Sequence, residues 1–178
     1  MKYQALLITV IGVVLAAPSS PADPPAHPQA FDRVLSLPVP GATLADLRDT
    51  FNESRGDQRR HEATDIVAPR GSPVLAVEDG VIRKLFLSKP GGLTIYQFDP
   101  TQRFCYYYAH LSAYAAGLKE GMPVRRGQLI GYVGTTGNAP PQSPHLHFGI
   151  TVLGPEKNWY GGTPLDPYPF LLAVLQRR

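Results

Sequence analysis

Apolar residues in this chain come in short runs, each broken by turn residues. Asp65-Ile66-Val67-Ala68 gives way to Pro69-Arg70-Gly71, and Pro73-Val74-Leu75-Ala76-Val77 to Glu78-Asp79-Gly80. Val81–Leu87 ends at Pro90-Gly91-Gly92, Leu93–Phe98 ends at Asp99-Pro100, and Phe104–Leu111 follows. Val124, Leu129–Val133 and His145–Leu153 complete the series, with Gly121, Gly127, Gly134 and Gly137 as punctuation. Short strands at this spacing predict an all-β domain, an antiparallel β-sandwich or barrel-sandwich hybrid-like fold with short helices. Two segments carry helical patterning, Leu44–Thr50 and Phe170–Gln176.

The N-terminus breaks this pattern. Met1-Lys2 is followed by an apolar run of about 13 residues, Ala5 to Ala17, interrupted only by Thr9 and Gly12. That is the length of a signal-peptide core and short of the roughly 20 residues needed to span a bilayer. Small residues follow, so residues 1–22 read as a signal peptide and the protein as exported, to a periplasm or an extracellular space, with no stable membrane span after processing. No cysteine follows the apolar run, which argues against a lipid anchor. Pro21, Pro24, Pro25 and Pro28 lie among Ser, Ala and Asp, a composition that cannot bury enough surface to order itself. Residues 23–38 therefore read as a Pro-rich tether, with order setting in between Phe31 and Val39. The domain proper is expected over 39–170, and 171–178 as a C-terminal tail.

Composition narrows the class. The length, 178 residues, suits one domain, and 43% hydrophobic residues suffice for a packed core. Gly and Pro together make about a fifth of the chain, too much for a helical bundle. The net charge is only +3 and no Lys/Arg run exceeds a pair, so no nucleic-acid partner is expected. The single cysteine, Cys105, excludes an intramolecular disulfide and a Cys-based zinc knuckle, and it reads as a buried strand residue. Glycine-punctuated hairpins such as Glu78-Asp79-Gly80 resemble those of biotinyl and lipoyl carriers, but no lysine sits in a carrier context.

The candidate chemistry lies in histidines. There are five, of which His27 falls in the tether and reads as inert. His61 and Asp65 are spaced to converge on one point from a helix or a strand, as a partial zinc shell or as a surface His–Asp pair. Glu62 suggests the HExxH helix, but the fifth position is Asp and the following Thr-Asp-Ile-Val is β-branched and then broken by proline. In His145-Leu146-His147-Phe148, strand alternation puts both imidazoles on one face and Leu146 and Phe148 on the other. Two crowded imidazoles each need a partner, and metal binding or catalysis supplies one more economically than packing does. In Tyr106-Tyr107-Tyr108-Ala109-His110-Leu111 the same count groups Tyr106, Tyr108 and His110. Alone, His110 is as well explained by a structural role.

Together, His61-x-x-x-Asp65, Tyr108-x-His110-Leu111 and His145-Leu146-His147-Phe148, the last preceded by Gly131-x-x-Gly134-x-x-Gly137, resemble the lysostaphin/LytM-type zinc metalloendopeptidases. The similarity runs from about Leu47 to Pro169. It implies an enzyme that cleaves peptide bonds in peptidoglycan stem or cross-bridge peptides, with Zn²⁺ as cofactor. By the resemblance His61, Asp65 and His147 are the metal ligands, and His110 and His145 are catalytic, with Tyr108 a further candidate donor. The family commonly has glycine in the middle of the first motif, where this chain has Ala63. A positive φ there would strain the loop by about 1 kcal/mol. The contrasting reading is a non-catalytic activator of other cell-wall hydrolases on the same fold. Such regulators lack some site residues, whereas all five are present here.

Overall fold

The computed structural model describes residues 31–56 and 59–177, so the signal-peptide segment, His27 and the tether up to residue 30 lie outside the described residues. Leu35 and Leu37 are buried, so packing already begins within the 23–38 segment, ahead of residue 39. Ten strands follow in chain order: β1 (Leu47–Arg48), β2 (Thr64–Val67), β3 (Pro73–Leu75), β4 (Gly80–Ser88), β5 (Gly92–Phe98), β6 (Phe104–Tyr114), β7 (Pro123–Val124), β8 (Leu129–Val133), β9 (His145–Val152) and β10 (Thr163–Leu165). One helix, α1 (Tyr168–Gln176), closes the chain. All pairings are antiparallel, in the order β1-β2-β9-β6-β5-β4-β7, with β10 on β9 and β8 bridging β6 and β3.

Eight strands fall on the apolar runs of the sequence. The other two, β1 and β10, are short and carry no alternation to betray them. Leu44–Thr50 is not the helix expected. Thr43 clasps Asp46 through its amide and hydroxyl (2.9 and 2.7 Å), which holds only a 3-10 turn, Leu44–Asp46. Leu47 then turns extended to pair with Ile66 and bury its side chain. One helical turn has too few hydrogen bonds to compete with a sheet partner. At the other end Leu171 is fully buried and pins α1, so the first residues of the expected tail are packed. Among the described residues no helix is long and apolar enough to cross a membrane.

The core gathers on one face of β6 and β9, where Phe104, Tyr106, Tyr108, Leu146, Phe148 and Ile150 are all fully buried. The two buried tyrosines need polar partners and have them. The Tyr106 hydroxyl donates to the Glu78 carboxylate, the Tyr108 hydroxyl donates to Gln97 Oε1 (2.8 Å), and Val77 N donates to Tyr108 Oη (3.1 Å). Cys105 is buried as expected, and burial, with the negative charge of Asp99 adding to it, pushes its thiol up to about 12.

β6 is the strand on which the layout turns. Its edge toward β9 is paired from Phe104 to Ala109, and from Leu111 to Tyr114 the same strand pairs with β8 instead. The handover falls on His110, whose φ is +61°.

Leu146 sits between the two histidines of β9 and holds that strand's face to the core. Leu146→Ala should therefore cost about 2–5 kcal/mol of unfolding free energy by loss of buried surface and cavity formation. Urea denaturation followed by fluorescence checks it.

Candidate metal centre

Antiparallel register builds the site. Asp65 on β2 is the direct cross-strand partner of His147 on β9, and His147 is the partner of Ala109 on β6. His61 lies just ahead of β2, on neither a helix nor a strand. It returns to Asp65 because Glu62 takes a left-handed turn, φ +56°, while His61 N and Glu62 N bond to the carbonyls of Glu53 and Phe51 (2.9 and 3.0 Å). The positive φ that the first motif requires thus falls on Glu62, and Ala63 points into the core.

Three donor atoms converge there. His61 Nε2 lies 2.9 Å from His147 Nδ1, and Asp65 Oδ1 lies 3.2 Å from the first and 3.3 Å from the second. Thr50 orients His61. Its hydroxyl, within 3.4 Å of the Arg48 and Ala63 carbonyls to which it donates, takes the Nδ1 proton at 2.9 Å and so leaves the Nε2 lone pair facing the cluster. Asp65 Oδ1 is buried and accepts no well-aligned hydrogen bond. Burial opposes its ionisation, yet the imidazoles of His147 and His61 hold the carboxyl well below the usual carboxylate range. Converging lone pairs around an under-satisfied carboxylate oxygen need a cation. Ligands about 2.0–2.1 Å from a tetrahedral zinc stand roughly 3.3–3.4 Å apart. Two sides of the observed triangle, 3.2 and 3.3 Å, are close to that size and the third, 2.9 Å, is shorter, so the residues fit the metal with a small spreading of the two imidazoles.

Two further imidazoles stand beside the triangle. His110 Nδ1 donates to the Thr136 carbonyl and His145 Nδ1 to the Ser143 carbonyl, both at 2.8 Å. A carbonyl can only accept, so both rings are fixed with the Nε2 lone pair free to act. His145 Nε2 is 3.8 Å from Asp65 Oδ1, and the His110 and His145 ring centroids are 5.0 Å apart. Burial, reinforced by the neighbouring His147, pushes the His110 imidazole down to about 4. Burial also lowers His147. Both are neutral at neutral pH, the form that binds a metal or accepts a proton. All of these side chains open onto one groove of about 670 Å³.

The geometry has counterparts. Residues 59–167 match the sequence model of peptidase family M23. The chain belongs to that family. It is 37% identical over 145 residues to the L-Ala–D-Glu endopeptidase of Bacillus subtilis, covering 78% of this chain and 43% of that protein. It is 36% identical over 117 residues to the peptidoglycan DD-endopeptidase ShyC of Vibrio cholerae, covering 63% of this chain and 26% of that protein. The crystallised catalytic domain of lysostaphin from Staphylococcus simulans matches the fold with a TM-score of 0.56 at 33% identity, over 65% of this chain and 82% of that one. The chain thus spans less than half the length of these two curated relatives. The M23 family is zinc-dependent, and the fold-class expectation holds: mostly antiparallel sheet, 8% helical.

Counting along β6 put one candidate residue on the wrong face. Alternation grouped His110 with Tyr106 and Tyr108, but the register against β5 slips between Tyr108 and Leu111, and His110 leaves the strand's regular conformation. The slip brings His110 to the face of Tyr107. Tyr107 is therefore the groove tyrosine, edge-on to His147 with ring centroids 5.7 Å apart, while the Tyr108 hydroxyl is spent in the core. The Tyr107 hydroxyl lies so close to Gly91 that a Cβ there would stand 2.3 Å away. Thr136 is also absent from the sequence reading. Its hydroxyl donates to the Leu111 carbonyl (2.7 Å) and accepts from Leu93 N (2.9 Å), fixing the carbonyl that His110 uses. Gly92, at φ +64°, makes room for it, since a Cβ there would lie 2.1 Å from Thr136 Oγ1.

Thr136→Val keeps the shape of the side chain and removes both hydrogen bonds. Stranding those two backbone groups should cost about 1–3 kcal/mol of stability, measured by chemical denaturation, with zinc content unchanged because no donor of the triangle is touched.

Proposed function

We propose that this protein is an exported, zinc-dependent endopeptidase that hydrolyses peptide bonds in the stem or cross-bridge peptides of peptidoglycan. The observation that carries the reading is the triangle of His61 Nε2, Asp65 Oδ1 and His147 Nδ1, with two more imidazoles fixed beside it on the same groove. The names of the relatives support the substrate class.

In this reading His61, Asp65 and His147 hold the metal. Zinc bound by three protein ligands supplies Lewis acidity and brings the pKa of a coordinated water to about 7. The remaining work falls to the protein. Thr50 keeps His61 in its ligating tautomer, and the two backbone carbonyls keep His110 and His145 in theirs. Their free Nε2 atoms face the groove, where one accepts a proton from the attacking water and hands it to the leaving amide nitrogen as the C–N bond breaks. The other takes a proton from solvent at Nε2 as the carbonyl oxygen gains negative charge, hydrogen-bonds that oxygen, and releases the proton when the carbonyl re-forms. Tyr107 closes the floor beside them.

Zinc analysis of five purified variants, set beside their digestion of peptidoglycan, tests the assignment. His61→Ala, Asp65→Ala and His147→Ala should lose metal and activity together. His110→Ala and His145→Ala should keep about one zinc per chain while hydrolysis falls by about 10²–10⁴. Loss of metal from His145→Ala with retention in His147→Ala would reverse the roles of that pair. A parent protein that binds zinc and never cleaves peptidoglycan would establish the activator instead. Export is tested separately: the mature N-terminus should lie about 17–22 residues from Met1, read by mass spectrometry of protein recovered outside the cytoplasm.

A further inference from the structure

The walls of the groove differ in charge. Four arginines line one side, Arg48, Arg55, Arg59 and Arg60, and all four are exposed. Arg48 is the cross-strand partner of Asp65, which places its side chain on the same face of the sheet as the donor triangle. The others come from the turn after β1, which is tied by Arg55 N to the Arg59 carbonyl and Arg59 N to the Gly56 carbonyl, both at 2.9 Å. Arg55 reaches Asp65 Oδ2 at 3.3 Å and Arg60 reaches Asn52 Oδ1 at 3.0 Å, so two of the four guanidiniums are braced. Among the described lining residues the only carboxylate is Asp65, which is committed to the triangle. Elsewhere in the lining, Pro90, Gly91, Asn138, Ala139, Pro140 and Ser143 are uncharged. The adjoining aromatic pocket, with Tyr96, Tyr107 and Trp159, has no arginine or lysine in its lining.

We propose that this arginine wall binds free carboxylates next to the scissile bond, so that the substrate is an acidic stem peptide and not a neutral glycine bridge. The proposal rests on the peptidase reading above and deepens it. A guanidinium presents a planar fork that matches a carboxylate and remains charged at all working pH. An oligoglycine segment offers nothing to that fork, and although Arg55 is shared with Glu53 and Asp65, four exposed cations in one lining favour the entry of an anion. D-Glu and diamino-acid residues of stem peptides carry such carboxylates.

The test uses the zinc-loaded protein with three substrates: a soluble stem peptide with free carboxyls, the same peptide with those carboxyls amidated, and pentaglycine. The free acid should be preferred over the amide by about ten- to a hundredfold in kcat/KM, mostly through KM. The preference should shrink as salt rises from about 50 to about 500 mM. The double variant R48Q/R59Q should raise KM for the acid to near that for the amide, with its zinc content and melting temperature as folding controls. Calorimetric titration of chelator-treated protein adds a readout independent of catalysis: the acid should bind and the amide should not. Equal KM for acid and amide, a preference that survives in the double variant, or faster cleavage of pentaglycine overturns the proposal. If no peptide is cleaved but the acid still binds, the peptidase reading fails and the carboxylate site stands. If the acid neither binds nor is cleaved, both fall.

Discussion

Everything at this site depends on the pairing of β2 with β9, which sets Asp65 directly across from His147. A slip of one residue would send His145 and His147 into the core and bring Leu146 and Phe148 to the groove. That slip is forbidden by burial, because Leu146, Phe148 and Ile66 are fully buried in the observed register. The apolar face thus fixes the polar one. Asp65 and His147 are thus placed by strand register, and the imidazoles of His147 and His61 then favour the ionised form of the Asp65 carboxyl.

Holding those groups together carries an electrostatic cost that the surroundings distribute. Burial lowers the proton affinity of His147 and His110, so neither is charged at neutral pH, and it opposes the charge on Asp65, which the two imidazoles and Arg55 offset. His61, His110 and His145 are each tied through Nδ1, to the Thr50 hydroxyl, the Thr136 carbonyl and the Ser143 carbonyl respectively. These ties fix tautomers before any metal arrives. The site is consequently pre-organised by ordinary hydrogen bonds, and a metal ion would meet its donors already in place.

The fold class was legible because it depends on period-two alternation within strands, and the five candidate residues were singled out by their motifs, which the fold brings to one groove. In β9 the count from His145 to Phe148 holds residue by residue. It failed in β6, where regular alternation stops at His110: no residue type announces a register slip, and the slip exchanged Tyr108 for Tyr107 as the groove residue. The left-handed turn of the first motif lies at Glu62, since Ala63 is needed in the core and the neighbouring residue absorbs the turn. Thr136 was invisible because it acts through its hydroxyl on Leu93 and Leu111, both remote in the chain. Leu44–Thr50 looked helical, and only a partner strand 17 residues or more away in sequence could say otherwise.

His110 shows why such irregularity belongs at this point. A β-strand side chain has two choices, core or solvent, and along β6 regular alternation would have put His110 on the buried face with Tyr106 and Tyr108. A left-handed φ at a non-glycine residue costs about 1–3 kcal/mol, yet it moves the imidazole to the groove and lets the strand change partners from β9 to β8. The strain is offset locally. His110 N donates to the Gly91 carbonyl and its Nδ1 to Thr136, and Thr136 is itself clasped between Leu93 and Leu111. The bulge therefore does two jobs that regular strand geometry could not do together. It carries the sheet around from β9 to β8, and it places a second neutral imidazole 5.5 Å, centroid to centroid, from His147. Interior strands and their register hold the donor triangle, whereas the arginines reach the groove from the short edge strand β1 and the turn after it. The chemistry can then stay fixed while the wall that meets the substrate is free to differ, because changing the side chain of Arg48 or Arg59 leaves the backbone pairing of β2 with β9 in place.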